Sequence, residues 1–148
     1  MIGMPPSFRV LDDIAIADIA FEAIGNSPSE LCLAAAQALI ETLADPRTVT
    51  NTWHQTIELE NETLAEIVFA WLSELVYWKD ADGVVFSRAS ASVHSEASGL
   101  WRLHGELVGE AIDSTRQHLR ADVKAVTKHL YDVRQDDRQW KATVVLDI

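Results

Sequence analysis

Apolar residues recur at helical spacing in two segments of the 148-residue chain. The first segment, Pro28–Ala44, begins with a capping box, in which Ser27 is the N-cap and Glu30 lies three residues later. Proline at the first helical position fits this start, because an amide proton would be unpaired there anyway. Asp45-Pro46 ends the segment, since proline disfavours helical geometry in the residue before it. The pattern therefore predicts a helix over Pro28–Ala44.

The second helical segment, Leu64–Trp78, has a wider apolar face than the first, with Trp71 and Leu75 near its centre. A stripe of this width predicts a helix packed deeply against a sheet. We interpret the following Asp80-Ala81-Asp82-Gly83 as a turn, because it matches only the beginning of an EF-hand loop and the downstream glutamate is missing. The residues that we expect in the core are Leu39, Trp71, Leu75 and Val144.

The remaining segments alternate between apolar and polar residues or are rich in β-branched residues, and both patterns are typical of strands. A short strand begins at Phe8, and a second covers Ile14–Ile24 with Asp18 projecting from it. The order β-β-α-β-α-β-β-β-β favours an α+β fold with two helices packed on antiparallel β-sheet. The chain length fits one domain, residues 1–148. The later predicted strands are Thr50–Glu60, Val84–His94, Leu100–Val108, Val123–Val133 and Arg138–Ile148.

Composition narrows the class of function. Lys and Arg total 12 against 23 Asp and Glu, which gives a formal net charge of -11. Such a chain is a poor candidate for binding RNA, DNA or an anionic membrane by itself, but it could bind a cation or the basic surface of another protein. The single Cys32 excludes a disulfide framework, and its apolar surroundings predict a small buried hydrophobe. No signal peptide or membrane-spanning run is recognisable, so we expect a cytoplasmic location.

The sequence contains none of the familiar catalytic motifs. A phosphate-binding glycine loop, G-x-S-x-G, H-E-x-x-H and paired CxxC are all absent. The five histidines fall on different predicted elements without metal-ligand spacing. These features favour a protein that is not an enzyme.

The last nine residues form a predicted strand that ends in two neighbouring carboxylates. Thr143, Val144 and Val145 are β-branched, and neither Gly nor Pro interrupts the stretch. Asp147 and the α-carboxylate of Ile148 lie one residue apart, and they repel each other unless solvent, a cation or a basic side chain neutralises them. Solvation by water is the ordinary explanation for a terminal acid. These residues alone leave the alternatives open.

Several stretches together resemble the archease family, in the family's order and over nearly the whole chain from Phe8. Ile16-Ala17-Asp18-Ile19 resembles its early His-Thr-Ala-Asp-(Ile/Val) strand, and Trp71–Leu75 resembles its Leu-x-Glu-Leu helix. Val123–His129 is similar to its Val-Lys-Ala-(Ile/Val)-Thr-Tyr-His strand. The closing Leu146-Asp147-Ile148 resembles the Asp-(Ile/Leu) end of the family. The block around Val-Lys-Ala and the terminal Asp-Ile are the most specific parts of the resemblance.

The chain departs from the family pattern at two of these places. Ala15 stands where the family has a histidine before Thr-Ala-Asp, and Lys128 replaces the usual tyrosine. These departures identify the chain as a divergent member.

The resemblance implies a function through a protein partner. Archeases act as protein cofactors of the RtcB-type RNA ligase, which joins tRNA halves using GTP, and they promote its guanylylation and multiple turnover. The implied role is a non-catalytic activator that stabilises a metal near the guanylylation site of the ligase and does not bind nucleic acid directly. The alternative is a metal-binding chaperone or protein-interaction module unrelated to RNA ligation.

The resemblance also implies a divalent metal site. Carried over residue by residue, the ligands are Asp18, Asp147 and the terminal carboxylate of Ile148. Three converging carboxylates suit a hard cation, with Ca²⁺ expected and Mg²⁺ or Mn²⁺ as alternatives. Lys124 is similar to the family's strand lysine, and its role is either a counter-charge for the acidic cluster or a contact with the partner. The site requires that the strands of Asp18 and Asp147 be neighbours or nearly so.

Overall fold

The computed structural model describes residues 5–11 and 18–148, which form two antiparallel sheets with two helices between them. One sheet has the strand order β1-β2-β7-β6, and the other has the order β3-β5-β4. The α+β class and the predicted order of elements are confirmed. The elements are β1 (Ser7–Val10), β2 (Asp18–Gly25), α1 (Pro28–Leu43), the short 3-10 helix η1 (Pro46–Thr48), β3 (Trp53–Asn61), α2 (Leu64–Asp82), β4 (Val84–Ser95), β5 (Trp101–Ala111), β6 (Ala125–Asp136) and β7 (Gln139–Asp147).

Helix α1 confirms the predicted cap. The Glu30 amide donates to Ser27 Oγ at 3.1 Å, and the Glu30 carboxylate accepts from the Asn26 amide at 3.1 Å. The helix ends at Leu43, with Ala44 as its C-cap, one residue earlier than predicted. Buried residues lie on most of its circumference, and α1 contacts strands of both sheets. A helix that is apolar nearly all round is stable only when it is covered in this way.

Helix α2 is longer than predicted, and the interpretation of 80–83 as a turn is wrong for its first three residues. Asp80, Ala81 and Asp82 form the last helical turn, and Gly83 closes it with φ 62, a left-handed conformation that glycine adopts without strain. Lys79 explains the extension. Its side chain is 5% exposed, and its ammonium contacts Asp80 at 2.7 Å and Asp122 at 2.6 Å, so this turn is held against the segment that follows β5. Neither helix of the described ranges is long and apolar enough to cross a membrane.

The core lies where the two helices face the two sheets. Leu39, Trp71, Leu75 and Val144 are fully buried, as predicted. The Trp71 indole donates from Nε1 to the Cys32 carbonyl at 2.9 Å, which joins the two helices. Cys32 itself is fully buried, and burial raises the pKa of its thiol to about 12. The prediction that Cys32 acts as a small buried hydrophobe is therefore confirmed.

The four-stranded sheet differs from the prediction in two strands. Strand β2 begins at Asp18, and the predicted residues Ile14–Ala17 lie outside the described ranges. Strand β6 is not the regular strand predicted over Val123–Val133. Thr127 pairs with Val145 and Asp132 with Thr143, so four residues of β6 stand opposite the single Val144. We call these four residues, Lys128–Tyr131, the β6 bulge.

Candidate functional site

Asp18 and Asp147 are direct partners on adjacent strands. Asp18 opens β2, Asp147 closes β7, and the antiparallel register sets them opposite each other. Residues paired in this way have Cβ atoms about 4.5–5.5 Å apart, which is within reach of one cation. The structure therefore meets the requirement that the two strands be neighbours. Metal binding itself stays a prediction.

Burial of the neighbouring residues fixes this register. Phe21 pairs with Val144, and both side chains are buried, as is Leu146. A slip of one residue would turn these side chains away from the core and bring acids towards it. Because successive side chains alternate across a strand, Asp18 and Asp147 project from the opposite face of the sheet. Asp18 is half-buried and Asp147 is exposed.

The two carboxylates have no basic partner in the part of the chain that the structure describes. No Lys, Arg or His there forms an ion pair with Asp18 or Asp147. The same ranges contain no cluster of three or more His, Cys, Asp or Glu side chains able to hold a metal, so the acids are a pair. The third predicted ligand, the terminal carboxylate of Ile148, belongs to the next residue, and Ile148 is 36% exposed. This donor set, consisting only of carboxylate oxygens, fits a hard divalent cation.

Lys124 lies beside the same pair through its backbone. Its amide donates to the Asp147 carbonyl at 2.7 Å, and the next residue, Ala125, pairs with Asp147. The Lys124 side chain is exposed and forms no ion pair with the described acids. The counter-charge role therefore has no direct contact in its favour, and the ammonium is accessible to a partner.

A buried glutamate holds the start of the segment that leads to Lys124, between the predicted strands Leu100–Val108 and Val123–Val133. Glu110 is 8% exposed, and it accepts from Arg116, from Gln117 Nε2 at 2.8 Å and from the Thr50 amide at 3.1 Å. The hydrogen bond from Arg116, followed by those from Gln117 and Thr50, lowers the pKa of Glu110 far below its usual range. The signal in the sequence was an acid directly after the apolar Leu107-Val108-Gly109, with an arginine six residues later.

A second buried acid holds the middle of this segment. Asp45 is 7% exposed, and its carboxylate accepts from Arg47 Nη2 at 2.8 Å. The hydrogen bonds from Arg47 lower the pKa of Asp45 to about 2. The Asp45 amide donates to the His118 carbonyl at 2.9 Å. Two carboxylates thus fix the path of residues 112–124 and, with it, the position of Lys124.

Known proteins share both the sequence and the fold. The sequence pattern of the Archease protein family (MTH1598/TM1083) matches residues 8–148. The chain is 33% identical over 132 residues to the protein archease of Methanopyrus kandleri, covering 89% of this chain and 94% of that protein. It is 31% identical over 133 residues to the protein archease of Pyrococcus furiosus, covering 89% and 93%.

Two solved structures extend the comparison. The solution structure of Methanobacterium thermoautotrophicum protein 1598 matches with a TM-score of 0.79 and 29% identity, covering 95% of this chain and 98% of that one. The crystal structure of a Thermotoga maritima protein, described as an archease and possible chaperone, matches with a TM-score of 0.57 and 23% identity, covering 89% and 91%. The second likeness supports the fold alone. The family pattern across residues 8–148, the curated relatives and the shared α+β architecture together establish that the chain belongs to the archease family.

Proposed function

We propose that this protein is a non-catalytic cofactor that activates an RtcB-type RNA ligase by promoting its guanylylation and turnover. The observation that carries the proposal is the pairing of Asp18 with Asp147 at one end of the four-stranded sheet, without a basic partner among the described residues. Two acids kept side by side without a counter-charge are costly unless a cation or solvent neutralises them. Membership of the family and the resemblance of these residues to its metal ligands support the same role.

In this proposal, Asp18, Asp147 and the terminal carboxylate of Ile148 would hold one divalent cation, with Ca²⁺ as the expected ion. The cation would supply positive charge that neutralises the three carboxylates and remains able to attract phosphate oxygens near the guanylylation site of the ligase. The protein's own part is to hold the carboxylates in register through the β2–β7 pairing. Its Lys124 side chain, exposed beside the same end, is proposed to contact the ligase.

The partner is proposed to be a protein and not a nucleic acid. The net charge of -11 opposes binding to phosphate backbones, and it favours encounter with a basic, RNA-binding enzyme. The proposed place of action is the cytoplasm, together with the ligase. We expect no binding of bare tRNA by the purified protein, and micromolar, salt-sensitive binding in a gel-shift would contradict this expectation.

The test is a ligase guanylylation assay with and without this protein, combined with calorimetric calcium titration. We expect Asp18→Ala, Asp147→Ala and a C-terminal tag to weaken both calcium binding and ligase activation. The tag is included because it removes the charge of the Ile148 carboxylate. Glu62→Ala is the matched control, since Glu62 is an exposed acid on a different part of the chain. Equal calcium binding by all variants would rule out the metal site, and an unaffected ligase would rule out the activator role.

The second candidate is a metal-binding chaperone or interaction module unrelated to RNA ligation. This candidate needs the same Asp18–Asp147 pair but no ligase, and a Thermotoga maritima protein that shares the fold is described as a possible chaperone. It predicts suppression of aggregation of an unrelated heat-denatured protein at stoichiometric amounts. A chaperone effect that is lost in Asp18→Ala, together with no effect on the ligase, would favour this candidate over the first.

A further inference from the structure

The β6 bulge combines an unfavourable backbone with an exposed apolar side chain. Leu130 has φ 55, a left-handed conformation that non-glycine residues other than Asn and Asp rarely adopt. Its side chain is not buried in return, because Leu130 is 52% exposed. Strained backbone of this kind is concentrated at functional sites, where the surrounding structure holds it in place. The β6 bulge therefore holds Leu130 towards solvent at a cost in backbone energy, as expected of a residue that contacts another molecule.

Tyr131 holds the bulge firmly on helix α2. Its hydroxyl donates to the Ala65 carbonyl at 2.5 Å, and its ring meets Phe69 edge-on with centroids 5.3 Å apart. Burial raises the pKa of the Tyr131 hydroxyl, so it remains a donor at neutral pH. The ammonium of Lys128 lies 3.9 Å from the centre of the Phe69 ring. The bulge is thus anchored at both ends, with His129 and Leu130 exposed between the anchors.

The β6–β7 hairpin and the residue before it carry most of the cations of the described ranges that form no ion pair. Within the described ranges, eight of the twelve Lys and Arg side chains form ion pairs with acids, and four do not. Three of those four, Lys124, Lys128 and Arg138, lie in or next to the β6–β7 hairpin, and the fourth is Arg88. Arg138 lies at the turn of the hairpin, whereas Lys124 and Lys128 lie before and within the first half of β6. On a protein with a net charge of -11, these two lysines are available to acids of another molecule. Their natural complement is a set of carboxylates on another molecule.

We propose that the β6 bulge is a docking element, in which Leu130 enters an apolar pocket of a protein partner and Lys128 and Lys124 face carboxylates at the rim of that pocket. This inference rests on the proposed function, since the partner is the RNA ligase. The overall negative charge governs encounter with a basic enzyme, whereas the bulge fixes the orientation of the complex. Because the Lys124 amide bonds to the Asp147 carbonyl, docking at the bulge would carry the Asp18–Asp147 pair to a defined place on the partner.

The decisive variants are Leu130→Gly and Leu130→Asn, with binding to the ligase measured by calorimetry or biolayer interferometry. Both residues adopt a left-handed backbone more readily than leucine, so neither variant should unfold more easily than the parent. We expect the dissociation constant to rise about tenfold or more, as for loss of a central contact residue. Calcium binding should be unchanged in both variants.

Ile112→Asn is the matched control. Ile112 is 45% exposed, and its amide bonds to the Gly83 carbonyl at the C-terminal end of α2, whereas the bulge lies at the N-terminal end of that helix. The nineteen residues of α2 separate the two places by about 28 Å. We expect ligase binding by this variant within about twofold of the parent.

Lys128→Gln and Lys128→Arg test the charge. The first should weaken ligase binding and reduce its salt dependence, and the second should restore both, because arginine keeps the charge and the contact with the Phe69 ring. Ligase binding that is unchanged in Leu130→Gly, Leu130→Asn and Lys128→Gln would overturn the docking element while the activator function stands. Binding of bare tRNA that is lost in Lys128→Gln would overturn it in favour of an RNA contact. Failure of the parent protein to bind or activate the ligase would remove the proposed function and the docking element together.

Discussion

The two sheets differ in how buried and exposed residues alternate along their strands, although each sheet packs one face on the same helices. In the three-stranded sheet, buried and exposed residues alternate along β3 and along most of β4 and β5, except at the end where Val84–Phe86 and Leu107–Glu110 are buried in succession. Ile57, Leu103 and Leu107 face the helices, and polar residues such as Glu58 and His104 face solvent. This is the pattern expected of an antiparallel sheet with one wet face. The shift of register between Phe86 and Arg88 of β4 lies at the same end.

The four-stranded sheet departs from this pattern in several places. Ala20 and Val145 are buried although they alternate with the buried Phe21 and Val144, so both faces are apolar at its centre. The same sheet carries the β6 bulge, with an exposed leucine, and at its end two acids that form no ion pair with any described residue. In this sheet the departures from local rules lie beside the candidate site, whereas the departure in the three-stranded sheet lies beside the buried Glu110. The comparison indicates that irregular pairing and irregular burial in the four-stranded sheet mark the position of the candidate site.

The largest expected effect comes from a substitution that disrupts the three-stranded sheet. In Gly109→Ala, the new Cβ would overlap the Val85 carbonyl oxygen and lie 2.9 Å from Phe86 Cα. Because both neighbours are backbone, β4 and β5 would have to separate, and we expect a loss of about 3 kcal/mol in the free energy of unfolding. Urea denaturation measures it. Ser90→Ala, on the exposed face of the same sheet, should change the free energy by less than about 0.5 kcal/mol.

Calcium should stabilise the four-stranded sheet, which carries Asp18 and Asp147, and not the three-stranded sheet. At a free calcium concentration of about 100 times the dissociation constant, we expect a gain of about 2.7 kcal/mol in the parent protein and none in Asp18→Ala. Hydrogen exchange measured below the global unfolding limit should slow at β2 and β7, near Asp147, and remain unchanged at the outer strand β3. Uniform slowing of exchange in both sheets, or equal stabilisation of Asp18→Ala, would contradict the site.

The segment that joins the two sheets should respond to acid through Asp45. Its pKa is lowered from 3.8 to about 2 in the folded protein, so its contribution to stability is complete above pH 4 and is lost as the pH falls through 2. We expect Asp45→Asn to lower the melting temperature by a few degrees at pH 6, and the difference to vanish near pH 2. Thermal unfolding across this range measures it. A difference that is independent of pH would show that the lost charge is not the cause.

The smallest effect is expected at the β6–β7 turn, where one substitution should have opposite signs in the two sheets. Arg138 has φ 68 in a two-residue hairpin turn, so Arg138→Gly should stabilise the protein by about 0.5 kcal/mol. Arg88→Gly in β4 should destabilise it by about 0.5–1 kcal/mol, because glycine weakens a strand interior. Chemical denaturation of both variants gives the comparison. Equal signs would show that backbone conformation does not decide the outcome.

Most of the fold could be predicted from the sequence because the signals are local. The cap at Ser27 and the apolar stripe around Trp71 are contained within single helices, and both predictions hold. The prediction for 80–83 failed because the last turn of α2 depends on Lys79 reaching Asp122, which is 43 residues away. The β6 bulge was missed for a related reason. The bulge is anchored by a hydrogen bond from Tyr131 to helix α2, and no pattern in the neighbouring residues predicts that bond.

The sequence by itself determined the order of elements, the two helices, the core and the strong negative charge, because periodicity and composition are properties of consecutive residues. It also supplied the acids at positions 18 and 147. Only the tertiary structure decided that these two face each other, since their pairing follows from the register that buries Phe21 against Val144. It likewise decided which Lys and Arg side chains of the described ranges form ion pairs, because pairing depends on residues distant in the chain. Contacts between distant residues leave no periodic pattern in the sequence, because they form only when the two sheets pack on the helices.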